Sequence, residues 1–171
     1  MYFEITQTIG EVAGALVGFV GVVFVLGGRA LRSLTPIEQS GMRHLLIGSI
    51  GTLLLAVLTL ILLAAIAEES AWRVSAGLTG VWALAGSTKA MTEELRGEHS
   101  LPAPINWGLP ITAMSFGVGG VLAAAGVRPE FAPLLSVSTM FLGLIVAVSY
   151  FVSLLTAYHN ADASAEAVER D

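Results

Sequence analysis

Glu11 is the ionisable residue with the most unusual setting in this sequence. It interrupts an otherwise uncharged, apolar stretch between Glu4 and Arg29. A carboxylate inside a membrane span is costly, so such groups are typical of ion, proton or ligand sites. Helical geometry places Glu11 on the same face as Gly14 and Gly18. We therefore predict that Glu11 points into a helix-packing seam and not toward lipid.

The depth of Glu11 leaves two roles open. About 27 Å of helix separates it from Arg29, which places the carboxylate near the outer edge of a hydrocarbon layer about 30 Å thick. At that depth Glu11 is either an ion, proton or ligand site, or a structural carboxylate. In the second case it reaches outer-leaflet water or pairs with Arg73 or Arg128.

Three histidines, His44, His99 and His159, are the other candidate chemical groups. Together with the nearby carboxylates of Glu98 and Asp162, their imidazoles could ligate zinc or a similar ion. No two of the histidines are three or four residues apart, the spacing that would place two ligands on one helix face. The sequence leaves open both a metal site and surface histidines without a metal.

The motifs of the common enzyme classes are missing from this sequence. It contains no G-x-S-x-G, no H-E-x-x-H, no P-loop and no Rossmann glycine fingerprint. The absence of cysteine excludes thiolate metal centres, covalent haem attachment and a cysteine nucleophile. We therefore predict a protein that is not an enzyme and uses no cofactor. The net charge of −5 argues against nucleic acid as a partner.

The elements that position these groups are predicted to be membrane helices. Of the 171 residues, 55% are hydrophobic and only 12% are charged, and the mean hydropathy is +0.80. A water-soluble domain contains about 25% charged residues. The composition therefore predicts an all-α integral membrane protein, because a helix satisfies its own backbone hydrogen bonds in lipid.

Apolar stretches between charges predict a bundle of five transmembrane helices. The third is the weakest, because only residues 74–88 are uncharged, about 22 Å of helix. It spans if the flanking Arg73 and Lys89 extend toward water. The predicted spans are about 5–28, 45–67, 71–90, 105–127 and 131–158.

Local sequence signals indicate where these helices begin and end. Thr35-Pro36-Ile37-Glu38 is a capping box that predicts a helix start ahead of the second span. Pro110 predicts a kink in the fourth span. We expect residues 1–159 to form a single transmembrane domain, and residues 160–171 to form an acidic, disordered tail.

Basic residues predict the orientation of the bundle. With five spans, six of the eight basic residues fall on one side of the membrane and two on the other. The positive-inside rule makes the first side cytoplasmic, so the amino terminus is outside and the carboxyl terminus is cytoplasmic. The six are Arg29, Arg32, Arg43, Lys89, Arg96 and Arg170, and the two are Arg73 and Arg128.

Small residues at four-residue spacing predict close approach between helices. Such seams serve packing within one bundle or association between copies, and both remain open here. The glycines that we expect at helix contacts are Gly10, Gly14, Gly18, Gly80, Gly117, Gly120 and Gly143.

These seams, beside little buried chemistry, predict a non-enzymatic membrane protein that acts through helix–helix contacts. It would be an accessory subunit or a self-associating scaffold, whose partners are the lipid bilayer and further copies or other membrane subunits. The alternative is a small oligomeric channel or transporter. There Glu11 would line an outer vestibule, and the fourth span, kinked at Pro110, would supply an adaptable wall.

Three segments resemble short bacterial polytopic inner-membrane proteins of unassigned function. They are GALVGFVGV at 14–22, LTPIE at 34–38 and AWRVS at 71–75. The resemblance extends over most of the chain and implies a location in the bacterial inner membrane. It implies no activity and no site residues.

Overall fold

A computed structural model describes residues 1–26, 36–95 and 103–169, and these ranges are helical throughout apart from short turns. The predicted all-α class is confirmed. The five α-helices of these ranges are α1 (Tyr2–Leu26), α2 (Pro36–Ala65), α3 (Glu68–Leu95), α4 (Ala103–Ala124) and α5 (Ala132–Glu169), with a 3-10 helix (Pro129–Phe131) ahead of α5.

Four of these helices are long and apolar enough to cross a membrane. The fifth, α3, has charged residues in both end turns, including Glu68 and Glu69 at its start and Glu93 near its end, which lower its mean hydropathy. By length and composition, these four helices are of the kind that cross a membrane. The four apolar segments are Tyr2–Val22, Gly41–Ala65, Trp107–Ala124 and Pro129–Ser153.

Helix ends differ from the sequence prediction mainly at the carboxyl terminus. α2 begins at Pro36, where the capping box places the helix start. α5 continues to Glu169, through most of the segment predicted to be a disordered tail. Residues 160–169 contain four alanines and neither glycine nor proline, so an existing helix extends through them at little cost.

α2 and α3 run antiparallel along each other. The Thr59 hydroxyl is 2.6 Å from the Ser75 hydroxyl toward one end of the pair. Toward the other end, His44 Nε2 is 3.0 Å from Glu93 Oε2. These two contacts are separated by about 22 Å along α2 and about 27 Å along α3. α5 contacts all four other helices, and α1 packs mainly against α2 and α5.

Small and hydroxyl-bearing side chains fill the interior of the bundle. Apart from Leu45 and Met140, the largest fully buried side chains are threonines and serines. The outer surface is rich in large apolar residues, such as Leu54 and Val81, which are 63% and 61% exposed. Lipid supplies no hydrophobic drive between helices, so small interior residues let backbones approach while large ones face the acyl chains.

Candidate functional site

The backbones of α3 and α4 approach each other closely where the two helices cross. A Cβ added to Gly80 would lie 2.7 Å from the Gly117 carbonyl oxygen, and one added to Gly120 would lie 2.6 Å from the Ala76 carbonyl oxygen. Both distances are far below van der Waals contact, so only glycine fits. We call this contact, formed by Ala76, Gly80, Gly117 and Gly120, the α3/α4 seam.

A second close contact joins α2, α3 and α5. The Trp82 indole of α3 lies against Gly51 of α2 and Gly143 of α5. A Cβ added to Gly143 would lie 2.5 Å from Thr52 Oγ1 and 3.3 Å from the Trp82 ring. Gly143 is one of the glycines that the sequence predicts at a contact, whereas Gly51 was missed, because nothing in its spacing distinguishes it.

α1 presents a continuous exposed face on the outside of the bundle. Its residues recur at intervals of four and three, which places them along one side of the helix. We name this surface the α1 outer face. It consists of Glu4, Thr8, Glu11, Ala15, Gly18 and Val22, all of them exposed.

The prediction that Glu11 points into a packing seam within the bundle is wrong. The buried face of α1 includes Thr6, Ile9, Ala13 and Val20, and Glu11 lies about 180° from its centre at about 100° per residue. That face packs on α2 and α5 and leaves Glu11 exposed, where its Oε1 accepts a hydrogen bond of 3.1 Å from Gln7 Nε2.

The other predicted contact glycines of α1 lie progressively farther from neighbouring helices. A Cβ added to Gly10 would be 3.4 Å from the Ala56 Cβ, and one added to Gly14 would be 3.8 Å from Leu53 Cδ1. A Cβ added to Gly18 would meet no atom of residues 1–26, 36–95 and 103–169 within 4 Å. The line of glycines at positions 10, 14 and 18 therefore contacts the bundle at Gly10 and faces away from it at Gly18.

His44 belongs to a polar cluster at one end of the bundle. Its Nε2 is 3.0 Å from Glu93 Oε2, and Lys89 Nζ is 3.7 Å from the other carboxylate oxygen. The imidazole stacks on the Tyr150 ring, with centroids 5.0 Å apart and 16° between the planes. The cluster connects α2, α3 and α5.

The metal hypothesis for the three histidines stays a prediction. His99 and Glu98 lie outside the described residues, and only the backbone is described for His159 and Asp162 in α5. Within the described part of the chain, no three histidine or acidic side chains are grouped to hold a metal ion.

A buried chain of hydroxyls links three helices in the interior. Ser75 Oγ is 2.6 Å from both Thr59 Oγ1 and Ser136 Oγ. Nearby in the same interior, Ser49 Oγ and Thr52 Oγ1 are buried with no partner among the described residues. The sequence does not predict these hydrogen bonds, because they depend on the register between helices.

Arg73 joins α3 to α4 at the end of the bundle opposite the His44 cluster. Its Nη2 donates a hydrogen bond of 3.2 Å to the carbonyl oxygen of Ala124, the last residue of α4. The terminal carbonyls of a helix have no intrahelical partner and sit at the negative end of its dipole, so a guanidinium there is stabilising. Arg73 therefore bonds α4 through one of its donors, and the hydrogen-bond partner of Glu11 is Gln7.

Comparison of this chain with protein-family models, with curated proteins and with solved structures finds no match.

Proposed function

We propose that this chain is a non-enzymatic protein of the bacterial inner membrane that acts through helix–helix contacts, as an accessory subunit or a self-associating scaffold. The contact surface in this proposal is the α1 outer face. The observation that supports it is the alignment of exposed residues at alternating four- and three-residue spacing, with Ala15 and Gly18 at its centre. Such a face admits a second helix at close range, and none of the described residues lies against it at Gly18.

The proposal includes five spans, with the amino terminus outside and the carboxyl terminus cytoplasmic. Two features support α3 as the additional span. It follows α2 from the Thr59–Ser75 contact to the His44–Glu93 pair, a distance close to the thickness of a hydrocarbon core. Its central residues, 74–88, are uncharged.

Charge placement supports the orientation within this proposal. Arg73 and Arg128 lie toward the end of the bundle where α4 stops, and Arg43 and Lys89 lie toward the His44 end. The other four of the eight basic residues lie outside the described residues. They are Arg29, Arg32, Arg96 and Arg170. The positive-inside rule, applied to the count of six to two made on the sequence, makes the His44 end cytoplasmic.

Cysteine crosslinking tests the proposed contact surface directly, because the chain contains no cysteine. We expect Ala15→Cys to give a disulfide-linked dimer, or a crosslink to another membrane subunit, when native membranes are oxidised. Leu54→Cys is the matched control: Leu54 is 63% exposed on α2, away from the α1 outer face. An Ala15→Cys chain that stays monomeric without a crosslinked partner, or crosslinks no more than Leu54→Cys, contradicts the proposal.

The exposure of Glu11 also supports the alternative, a small oligomeric channel or transporter. If copies meet at α1, then Glu11, Gln7 and Thr8 lie together near the outer end of the contact and form a polar vestibule. Below them the α1 outer face contains only Ala15, Gly18 and Val22. Ion flux into liposomes that Glu11→Gln reduces favours the alternative, and flux at background removes it.

A further inference from the structure

An open pocket of about 320 Å³ lies between α3 and α4, next to Arg73. The apolar segments of α2 and α4 end at Ala65 and Ala124, and that of α5 begins at Pro129. These three limits fall at the end of the bundle where Arg73 bonds Ala124, so the pocket lies where hydrocarbon gives way to lipid headgroups. Its lining residues are Ser70, Arg73, Val74, Gly77 and Ala124.

Arg73 places a positive charge at the wall of this pocket. One Nη2 hydrogen bond to Ala124 fixes the guanidinium at the pocket wall. A guanidinium has five N–H donors in a planar fork that matches a phosphate group. None of the ion pairs among residues 1–26, 36–95 and 103–169 includes Arg73. The remaining donors are thus available to an anionic group, and the exposed Ser70 supplies a further hydroxyl.

The pocket has an apolar wall on its membrane side and an acidic residue on its water side. On the membrane side, Val74, Gly77 and Ala124 form an apolar wall. On the water side, the exposed Glu69 lies four residues before Arg73 on the same face of α3, about 6 Å along the helix axis. A ligand lying along this face meets an apolar surface, then a positive charge, then a negative charge.

We propose that the pocket binds the headgroup of a zwitterionic phospholipid of the phosphatidylethanolamine type. Arg73 and Ser70 bind the phosphate, and Glu69 binds the ammonium group. The apolar wall contacts the glycerol and the first acyl carbons. The order of charges distinguishes this lipid from an anionic one such as phosphatidylglycerol, for which Glu69 is repulsive. The proposal requires that this end of the bundle lies in a membrane, and it is independent of the α1 outer face.

Native mass spectrometry of the purified full-length chain in mild detergent tests the proposal. Phosphatidylethanolamine, phosphatidylglycerol and inorganic phosphate are titrated separately. We expect one phosphatidylethanolamine per chain, bound more tightly than phosphatidylglycerol, and no retention of inorganic phosphate. Arg73→Gln is expected to weaken binding at least tenfold. Glu69→Gln should weaken the binding of phosphatidylethanolamine and strengthen that of phosphatidylglycerol.

Two further variants keep the test decisive if Arg73→Gln disturbs the end of α4. Ser70→Leu retains Arg73 and fills the pocket from an exposed position, so it should abolish binding without lowering the melting temperature. Arg128→Gln removes an exposed cation near the same end of the bundle that does not line the pocket, and it should leave binding unchanged.

Three results would overturn the proposal. The first is no lipid bound by the wild-type chain, or equal binding by wild type, Ser70→Leu and Arg73→Gln. The second is phosphatidylglycerol bound as tightly as phosphatidylethanolamine with no effect of Glu69→Gln. The third is inorganic phosphate retained as well as the lipid, which would assign the pocket to a free anion.

Discussion

The α3/α4 seam and the α1 outer face contain similar residues in opposite environments. At the seam, a Cβ added to Gly120 would lie 2.6 Å from a backbone carbonyl oxygen of the neighbouring helix. On α1, a Cβ added to Gly18 or Gly21 would meet no atom within 4 Å in the part of the chain that the structure describes. Four-residue spacing of small residues therefore predicts that a helix can be approached closely, but it does not say by which helix.

The residues of the opposing helix decide whether a row of small residues is buried in a close contact or left exposed. α4 meets small residues on α3, so that Gly120 lies against Ala76 and Gly117 against Gly80. α1 meets a leucine at the corresponding point, since Leu53 of α2 lies against Gly14 at an ordinary contact distance. A close backbone contact needs small residues on both helices. The α3/α4 seam meets that condition at Gly80 and again at Gly120, whereas α1 meets it at Gly10, against Ala56, and no longer at Gly14.

Gly120→Ala is expected to have the largest effect on folding. The new methyl group would collide with the Ala76 carbonyl, and backbone atoms cannot rotate away, so α3 and α4 must separate. We expect a loss of about 3 kcal/mol in the free energy of unfolding, at the upper end for overpacking. Denaturant titration in micelles measures it.

Gly18→Ala is the matched control for that experiment. Its methyl group enters open space, and alanine favours a helix over glycine by about 1 kcal/mol. The stability should therefore be unchanged or slightly higher. Equal destabilisation by both substitutions would mean that the two faces do not differ as described.

Gly143→Ala is expected to have an intermediate effect, because the obstructing atom is a hydroxyl and not backbone. The methyl group would lie 2.5 Å from Thr52 Oγ1. Rotation of that side chain relieves part of the overlap, so we expect a loss of about 1 to 2 kcal/mol. A double-mutant cycle with Thr52→Ala should recover most of this loss, and additive effects would contradict the contact.

Ser75→Ala should cost about 1 kcal/mol, because it removes the hydroxyl shared by α2 and α5. Thr59 keeps its bond of 2.8 Å to the Leu55 carbonyl, which limits the loss. Ser115→Ala is the control, since this exposed hydroxyl of α4 bonds only its own helix at Ile111. Thermal melts of the two variants should differ, and indistinguishable melts would argue against the hydroxyl chain.

Glu11→Gln is expected to have the smallest effect on folding. Glu11 is exposed, and its contact is with Gln7 one turn earlier in the same helix. The unfolding free energy of the monomer in detergent should be unchanged within error. A clear loss of stability would mean that Glu11 takes part in packing within the bundle.

Sequence patterns were sufficient for the helical class and for the start of α2 at Pro36. Hydropathy, length and capping act within one helix, so one helix is enough to reveal them. Which side of α1 is buried could not be predicted in this way. Its buried Ala13 and its exposed Ala15 and Gly18 are equally small and apolar, and hydrophobicity does not separate inside from outside in lipid.

Hydrogen bonds between helices could not be predicted from the sequence for a related reason. The hydroxyl chain through Thr59, Ser75 and Ser136 requires that three helices stand in one register, and no spacing along the chain encodes that register. The same holds for Arg73 and Ala124, which are joined by a hydrogen bond across 51 positions of sequence.

The oligomeric state of the chain in lipid bilayers tests the central claim most directly. Single-molecule photobleaching or subunit exchange would compare the wild type with Gly18→Leu and Gly86→Leu. Both glycines are exposed and have open space at the Cβ position, but Gly18 lies on the α1 outer face and Gly86 on α3. We predict association of the wild type and of Gly86→Leu, and monomers for Gly18→Leu with unchanged folding. Association that Gly18→Leu does not weaken would contradict the account, and monomers in all three would remove the self-associating scaffold.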